Sequence, residues 1–430
     1  MEDNKQLDSK LVNSLLEINQ VSYRMPPQIS IASKVTHTIQ YFQQSTYNNG
    51  NTMILDFQTG NAYIDAHKSY LRMVVTPNDA THSFGSGSVG NLFERVVVRT
   101  KTGKELSRTE NANLLMKNMD RFFKSDNWLN TVGRAQGHTQ EIATNQYGTV
   151  VPAGGKVFII PLTTFLPCFN LIGSKLVPPM IASGLRLEIR LADPNVAFCS
   201  FDQNAPLGLA SYTVTQPEIH VKEYTLADNF SRSIAQIASS QGLNLLYKEY
   251  YNTIVSTSTN QINYDIKKAV SKALKLSVFT RDATIAAGRD QMASRPYNYE
   301  KIQSNVGADY VPNQPLQLPA AASADNINEV YYYALEECDK LKSWDPSSVS
   351  PGQYLGVAPT GTGDVYNGAV VNFSYNKSNT SELAGYTISN SRAMLVNLTQ
   401  EGVAVPVRLD TFLCYLRLAK AMITNTLVLD

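Results

Sequence analysis

The residues best spaced to do chemistry are three glycines, Gly85, Gly87 and Gly90, which spell G-x-G-x-x-G within the stretch from Tyr63 to Phe123. Such a loop holds a pyrophosphate when its third glycine opens a helix, because the unpaired N–H groups of the first turn point at the anion. Here Asn91-Leu92-Phe93-Glu94-Arg95 and the run Val96, Val97, Val98 follow, which is strand chemistry. The spacing therefore reads as a flexible connection between two strands, not as a dinucleotide site. Ala153-Gly154-Gly155-Lys156 fails as a phosphate loop too: no glycine stands five before Gly155, and Val157 takes the place of the required Ser or Thr. The five histidines, His37, His67, His82, His138 and His220, include no H-E-x-x-H and no close pair at ligand spacing. Asp65 and His67 share a face of an extended segment, where a strand-end hydrogen bond is the plainer reading than a catalytic dyad. No G-x-S-x-G occurs. Cys168, Cys199, Cys338 and Cys414 are far apart, which excludes a zinc knuckle, argues against a disulfide framework and leaves free, buried thiols. Lys267, Lys268, Lys272 and Lys275 are the best basic cluster, either a solvated face or a contact with nucleic acid or an acidic neighbour. No catalytic, cofactor-binding or metal-ligating residue is assigned, no cofactor is implied, and an enzyme is not indicated.

Composition agrees. The chain has 430 residues, and 37 Lys plus Arg against 36 Asp plus Glu leave a net charge of +1, unsuited to a general polyanion binder. Hydrophobic residues make up 43%, spread along the chain, which argues against disorder. No signal peptide is read in the acidic opening Met1-Glu2-Asp3-Asn4, and the least polar stretch, Val157 to Gly173, is broken by prolines and polar residues.

Strands dominate the elements that would position any site. Leu71, Met73 and Val75 alternate with Arg72, Val74 and Thr76; Leu185, Leu187, Ile189 and Leu191 alternate with Arg186, Glu188 and Arg190. Val35 to Phe42, Met53 to Phe57 and Ile219 with Val221 read the same way, and Tyr47-Asn48-Asn49-Gly50 is turn chemistry. Ser107 with Glu110 forms a capping box that predicts a helix carrying Leu114, Leu115, Met119, Phe122 and Phe123. A polar region up to Gly155 reads as an exposed excursion. Asp228 to Gly242 reads as a linker with a short helix. The second half repeats the plan. Leu243 to Val255 and Ala273 to Thr280 read as strands, and a second helix begins at Asn326 and runs through Tyr331-Tyr332-Tyr333 to Leu341. Polar sequence occupies Asp345 to Ser391, and strands at Met394 to Leu398, Val403 to Val407 and Phe412 to Leu418 close the half. Near the N-terminus Leu7, Leu11, Leu15 and Ile18 make a helical stripe that either docks on the protein itself or reaches a neighbouring subunit or membrane surface. The divisions are a helical arm over 1–29, a first β domain over 30–227, a linker over 228–242 and a second β domain over 243–430. Such an arrangement points to antiparallel sandwiches or jelly rolls.

Several landmarks carry a resemblance. Tyr63-Ile64-Asp65, Ser69-Tyr70-Leu71, Phe84-Gly85-Ser86-Gly87-Ser88, Asn91 to Arg99 and Arg108-Thr109-Glu110-Asn111-Ala112-Asn113 resemble the first jelly roll of major capsid proteins from Polinton-like viruses and virophages. Gly307 to Pro315, the tyrosine-rich helix, Ser389-Asn390-Ser391-Arg392 and Leu409 to Arg417 resemble that family's later landmarks in order. The resemblance implies a mainly β protein of two tandem eight-stranded antiparallel jelly rolls, each with an inserted helix, plus an N-terminal amphipathic helix. It implies a homotrimeric, pseudo-hexameric capsomer in the icosahedral shell of a double-stranded DNA virus. Its partners would be copies of itself, neighbouring capsomers, penton and minor capsid proteins, with an inner membrane or the genome within reach of the N-terminal helix. The place of action would be the virion, with assembly inside the host cell. In that frame the Asp345 to Asn390 loop is expected at the outer end of the trimer and the N-terminal helix on the inner side. A carbohydrate-binding or adhesive β-sandwich and a two-domain hydrolase on a β scaffold are the rival classes.

Overall fold

The computed structural model describes residues 32–78, 82–138, 149–200, 211–284, 290–292, 294, 299–318, 328–337, 347, 349, 354, 370–375, 384–402, 404–421 and 427–429. The expected N-terminal helix, Cys338, both ends of the second helix and most of the Asp345 to Asn390 loop lie outside them.

The first half contains β1 (Ala32–Tyr41), β2 (Thr52–Asp56), β3 (Tyr63–Pro77), β4 (Phe93–Arg99), β5 (Glu105–Glu110), α1 (Ala112–Phe122), β6 (Lys156–Pro161), β7 (Arg186–Leu191) and β8 (Tyr212–Leu226). Helix α2 (Asp228–Ser240) leads into the second half. There follow β9 (Leu243–Thr257), β10 (Gln261–Ile266), β11 (Val270–Asp282), β12 (Tyr299–Val306), β13 (Asp309–Leu318), α3 (Asn328–Glu337), β14 (Val370–Ser374), β15 (Met394–Gln400) and β16 (Val407–Ala421).

Two main sheets form in each half and the orders of their main strands repeat; short strands at Thr46–Asn48, Tyr386–Ile388 and Leu427–Leu429 pair alongside them, and His82–Ser83 with Cys199–Ser200 makes a further two-stranded sheet. The first half orders its strands β1-β8-β3-β6 in one sheet and β2-β7-β4-β5 in the other. The second half has β9-β16-β11-β14 and β10-β15-β12-β13, the same positions counted within the half. All these pairings are antiparallel. Alternation explains why each pair of sheets closes. Leu71, Met73 and Val75 of β3, Leu187, Ile189 and Leu191 of β7, and Phe158 and Ile160 of β6 all point into one core.

The sequence reading needs correction in several places. Ser107 and Glu110 do not cap α1; they lie in β5, where Ser107 pairs with Val98 and Glu110 with Arg95. The helix starts after Asn111, which holds a left-handed φ of 46° that Asn tolerates better than most residues. A cap contributes about 1 kcal/mol, and a full ladder with its cross-strand contacts outweighs it. The linker helix α2 is not short: it covers 13 residues. The polar excursion after α1 is not wholly exposed, since short helices at Asp126–Asn130 and Val132–Ala135 lead to buried Gln136 and His138. β14 falls inside the stretch read as polar loop, because Val371 and Phe373 face the core between polar neighbours.

Candidate functional site

The densest polar chemistry among the described residues is a buried seam between the two halves, and α1 builds it. One side of this helix, Ala112 and Met116, packs into the first core. The other side, Leu114, Leu115 and Phe122, packs into the second core with Phe279, Phe412 and Leu413. Exchange runs in both directions, for Leu245, Tyr247 and Ala419 of the second half sit in the first core. Tyr247 Oη donates to the Leu106 carbonyl at 2.7 Å, and the Asn111 side chain donates to Asn252 Oδ1 at 2.7 Å.

Charged groups are set into this apolar contact. The Asp290 carboxylate accepts from the Ser86 N–H at 2.9 Å, from the Ser86 hydroxyl, and from the Met292 N–H at 2.8 Å. Lys117 Nζ, buried on α1, donates to the Met292 carbonyl, and Arg121 Nε donates to the Ser86 carbonyl at 2.8 Å. Burial pushes the Lys117 amine down to about 8, with Asp290 acting in the opposite direction. Asp410 is fully buried and held by Arg281 at 2.6 Å and Arg408 at 3.1 Å. Glu249 accepts from Ser107 Oγ across the seam at 3.0 Å, and burial raises its carboxyl to about 7 although Arg417 and that hydrogen bond pull it down. The groups are locked into one another, with a small cavity lined by Leu114, Lys117, Asn118, Phe122, Phe279 and Met292 between them. The arrangement is a structural clamp: each buried charge has a partner, which is the condition for tolerating it.

The three glycines belong to this clamp, and their loop is not a flexible connection. It is buried, with Val89–Leu92 forming a helical turn. A Cβ on Gly85, which has φ +59°, would meet the Asp290 carboxyl at 2.8 Å. One on Gly87 would strike Asn91 at 2.1 Å, and one on Gly90 would strike Met116 of α1 at 2.7 Å. The spacing thus serves close approach of loop, helix and second half.

The other residues with chemical potential are dispersed. Asp65 does not pair with His67; it faces Lys68 at 3.6 Å, and His67 is exposed. His138 and Asp120 form a buried pair at 2.9 Å in which burial holds the imidazole below its usual value. His220 stacks on Tyr70 at 4.8 Å. His82 is buried on a short strand paired with Cys199–Ser200, and His37 is exposed on β1. Cys168, Cys199 and Cys414 are buried free thiols. Of the lysine cluster, Lys268 lies over Tyr251 and Tyr415, and Lys275 over Phe123. Among the described residues no three His, Cys, Asp or Glu side chains converge as a metal site, and no helix is long and apolar enough to cross a membrane.

The two outward sheet faces of the first half differ. On β2-β7-β4-β5, ion pairs tie the strands together: Arg186–Asp56, Arg99–Glu188, Arg190–Glu94 and Arg99–Glu105. On β1-β8-β3-β6, the strand at the edge is inverted. Its Thr36, Thr38 and Gln40 point inward, while Val35, Ile39 and Tyr41 point out at 49%, 42% and 69% exposure.

No protein-family model matches the chain, and no curated protein does. Solved structures do. PBCV-1 VP54, in a crystal structure fitted into a cryo-EM reconstruction of the virophage Sputnik, matches with a TM-score of 0.60 at 12% identity, covering 95% of this chain and 98% of that one. The Faustovirus major capsid protein matches with a TM-score of 0.60 at 8% identity, covering 95% and 94%. The mavirus major capsid protein matches with a TM-score of 0.51 at 12% identity, covering 95% and 92%. This chain has the fold of these viral major capsid proteins. Within that capsid-protein fold, the landmark Arg108 to Asn113 spans the end of β5 and the start of α1, and Leu409 to Arg417 lies in β16. Both stand at the seam. Sequence reasoning missed Lys117 and Asp290; the available signal was a lysine placed inside an apolar helical stripe, between Leu114, Leu115, Met116 and Met119.

Proposed function

We propose that this protein is a viral major capsid protein, the structural subunit of the icosahedral shell of a double-stranded DNA virus of the Polinton-like or virophage kind. In this reading residues 30–227 and 243–430 are two tandem eight-stranded jelly rolls, 228–242 is the linker and 1–29 an arm. Three chains close into a pseudo-hexameric capsomer that acts in the virion and is not an enzyme. Neighbouring capsomers, penton and minor capsid proteins are its partners, and the arm is the part in reach of an inner membrane or the genome.

The observation that carries the reading is the repetition of one sheet order in both halves, over a chain matched along 95% of its length by capsid proteins. Side chains support it, because buried polar groups join the two halves, as Asp290 does to Ser86 and Glu249 to Ser107. The test is the mass of the purified protein by light scattering. A value about three times 47.5 kDa, with six-lobed particles in negative stain, supports the capsomer. A stable single-chain mass across micromolar concentrations sinks it.

A further inference from the structure

Within one chain, the outward face of the second half's β9-β16-β11-β14 sheet is already covered, and its cover is a helix from the other half. Ser277, Phe412 and Asn252 stand side by side across β11, β16 and β9. Over that face, Asn111 bonds Asn252, Phe122 packs in the same cluster as Phe279 and Phe412, and the Lys275 amine lies 4.9 Å from the centre of the Phe123 ring. Helix α1, which stands between the fifth and sixth strands of its half, is therefore shared by two sheet systems.

The first half has the corresponding sheet, β1-β8-β3-β6, and its two edge strands, β1 and β6, present exposed apolar side chains on that face. Val35, Ile39 and Tyr41 of β1 and Val157 of β6 are exposed there, beside Tyr224, Tyr70 and Ile159. The second half has the corresponding helix, α3, again between the fifth and sixth strands of its half. Val330 and Ala334 anchor it to its own core. Its other side carries exposed Glu329, Tyr332 and Glu336 with half-buried Leu335; Tyr332 is 57% exposed. Charges match as well: α3 contains acidic but no basic residues, whereas the facing sheet carries Lys34 on β1 and Lys222 on β8, and its Glu218 is paired with Arg72.

We infer that α3 of one copy docks on the outward β1-β8-β3-β6 face of the next copy, reproducing between chains the contact that α1 makes within a chain. This rests on the trimeric reading above and gives it a surface. The contact is head-to-tail, and closure after three chains requires equal steps of about 60° from half to half. An interface of this permanence buries on the order of 2,000 Å², more than β1 alone offers, which is why the face includes β8, β3 and β6.

The experiment places the photo-crosslinking residue p-benzoylphenylalanine at Tyr332 in the full chain, mixes heavy-isotope and unlabelled chains before assembly, irradiates, and maps products by mass spectrometry. Heavy-to-light products joining position 332 to residues 32–41, 63–77, 156–161 or 212–226 are expected. Products confined to one chain, or joining chains elsewhere, overturn the interface while the three-chain mass leaves the trimer standing; a single-chain mass for the wild type overturns both. In parallel, Ile39→Asp should convert the three-chain mass to a single-chain mass at micromolar protein with an unchanged near-UV circular dichroism spectrum. Retention of the three-chain mass by that variant counts against the proposal.

Discussion

At the scale of single residues, the seam makes two positions informative. Gly85 combines a left-handed backbone with the Asp290 carboxyl 2.8 Å from where a Cβ would stand. Gly85→Ala should therefore cost about 1–3 kcal/mol, read as a lower midpoint of denaturant unfolding, whereas Gly103→Ala, with nothing nearby, should cost less. Glu249 supplies a pH signature. Its folded carboxyl sits at about 7, above the ordinary value near 4.3, so between those limits the folded chain binds a proton that the unfolded chain has lost. Stability at this site is greatest at low pH and falls as pH rises toward 7, by a few kcal/mol at most. Glu249→Gln should flatten that part of the stability curve, and an unchanged slope would assign it to other groups. The chemistry of this site was only partly legible in the sequence. Gly85, Gly87 and Gly90 stood out, but a motif records spacing and not what approaches it. Asp290 lies 204 residues from Ser86, and no local pattern connects them.

Among elements, α1 is the piece whose loss should matter most. Phe122 is buried against Tyr354 and the second core, so Phe122→Ala should destabilise by about 3–5 kcal/mol. Because the helix serves both cores, calorimetry should show the whole chain melting at lower temperature; a loss confined to one of two separate transitions would mean that the halves are energetically independent. Strands whose alternation is clean, such as Leu71 to Val75 and Leu185 to Leu191, were legible because one face meets a core and the other meets ion-paired solvent-facing residues. β12 and β13 were not anticipated. In β12, Ile302, Gln303, Ser304 and Asn305 are all buried, so polar side chains bonded inside the fold, such as Ser304 to the Leu395 carbonyl at 2.8 Å, erase the expected period. The start of α1 was misplaced because a capping pattern is satisfied by four residues, while the ladder that overrides it involves strands far away in sequence.

For the whole molecule, the repeated sheet order is what the layout of strands, helix, loop and strands already suggested, and solved capsid proteins match the fold along 95% of the chain. The pairing of sheets lay beyond the sequence, since β1 meets β8 across 192 residues in the Ser33 to Thr225 bond. If apolar contacts hold copies together, the three-chain mass should persist at about 1 M salt, where the screening length falls to ~3 Å; dissociation there would assign cohesion to charge pairs. The shared helix also carries a consequence for synthesis. A ribosome finishes Leu114, Leu115 and Phe122 long before it adds Phe412 and Leu413, and roughly 300 residues at 5–20 per second take about 15–60 s. For that interval the nascent chain displays a greasy helix with no lid, so translation speed and holding chaperones should govern how much of it reaches a soluble form.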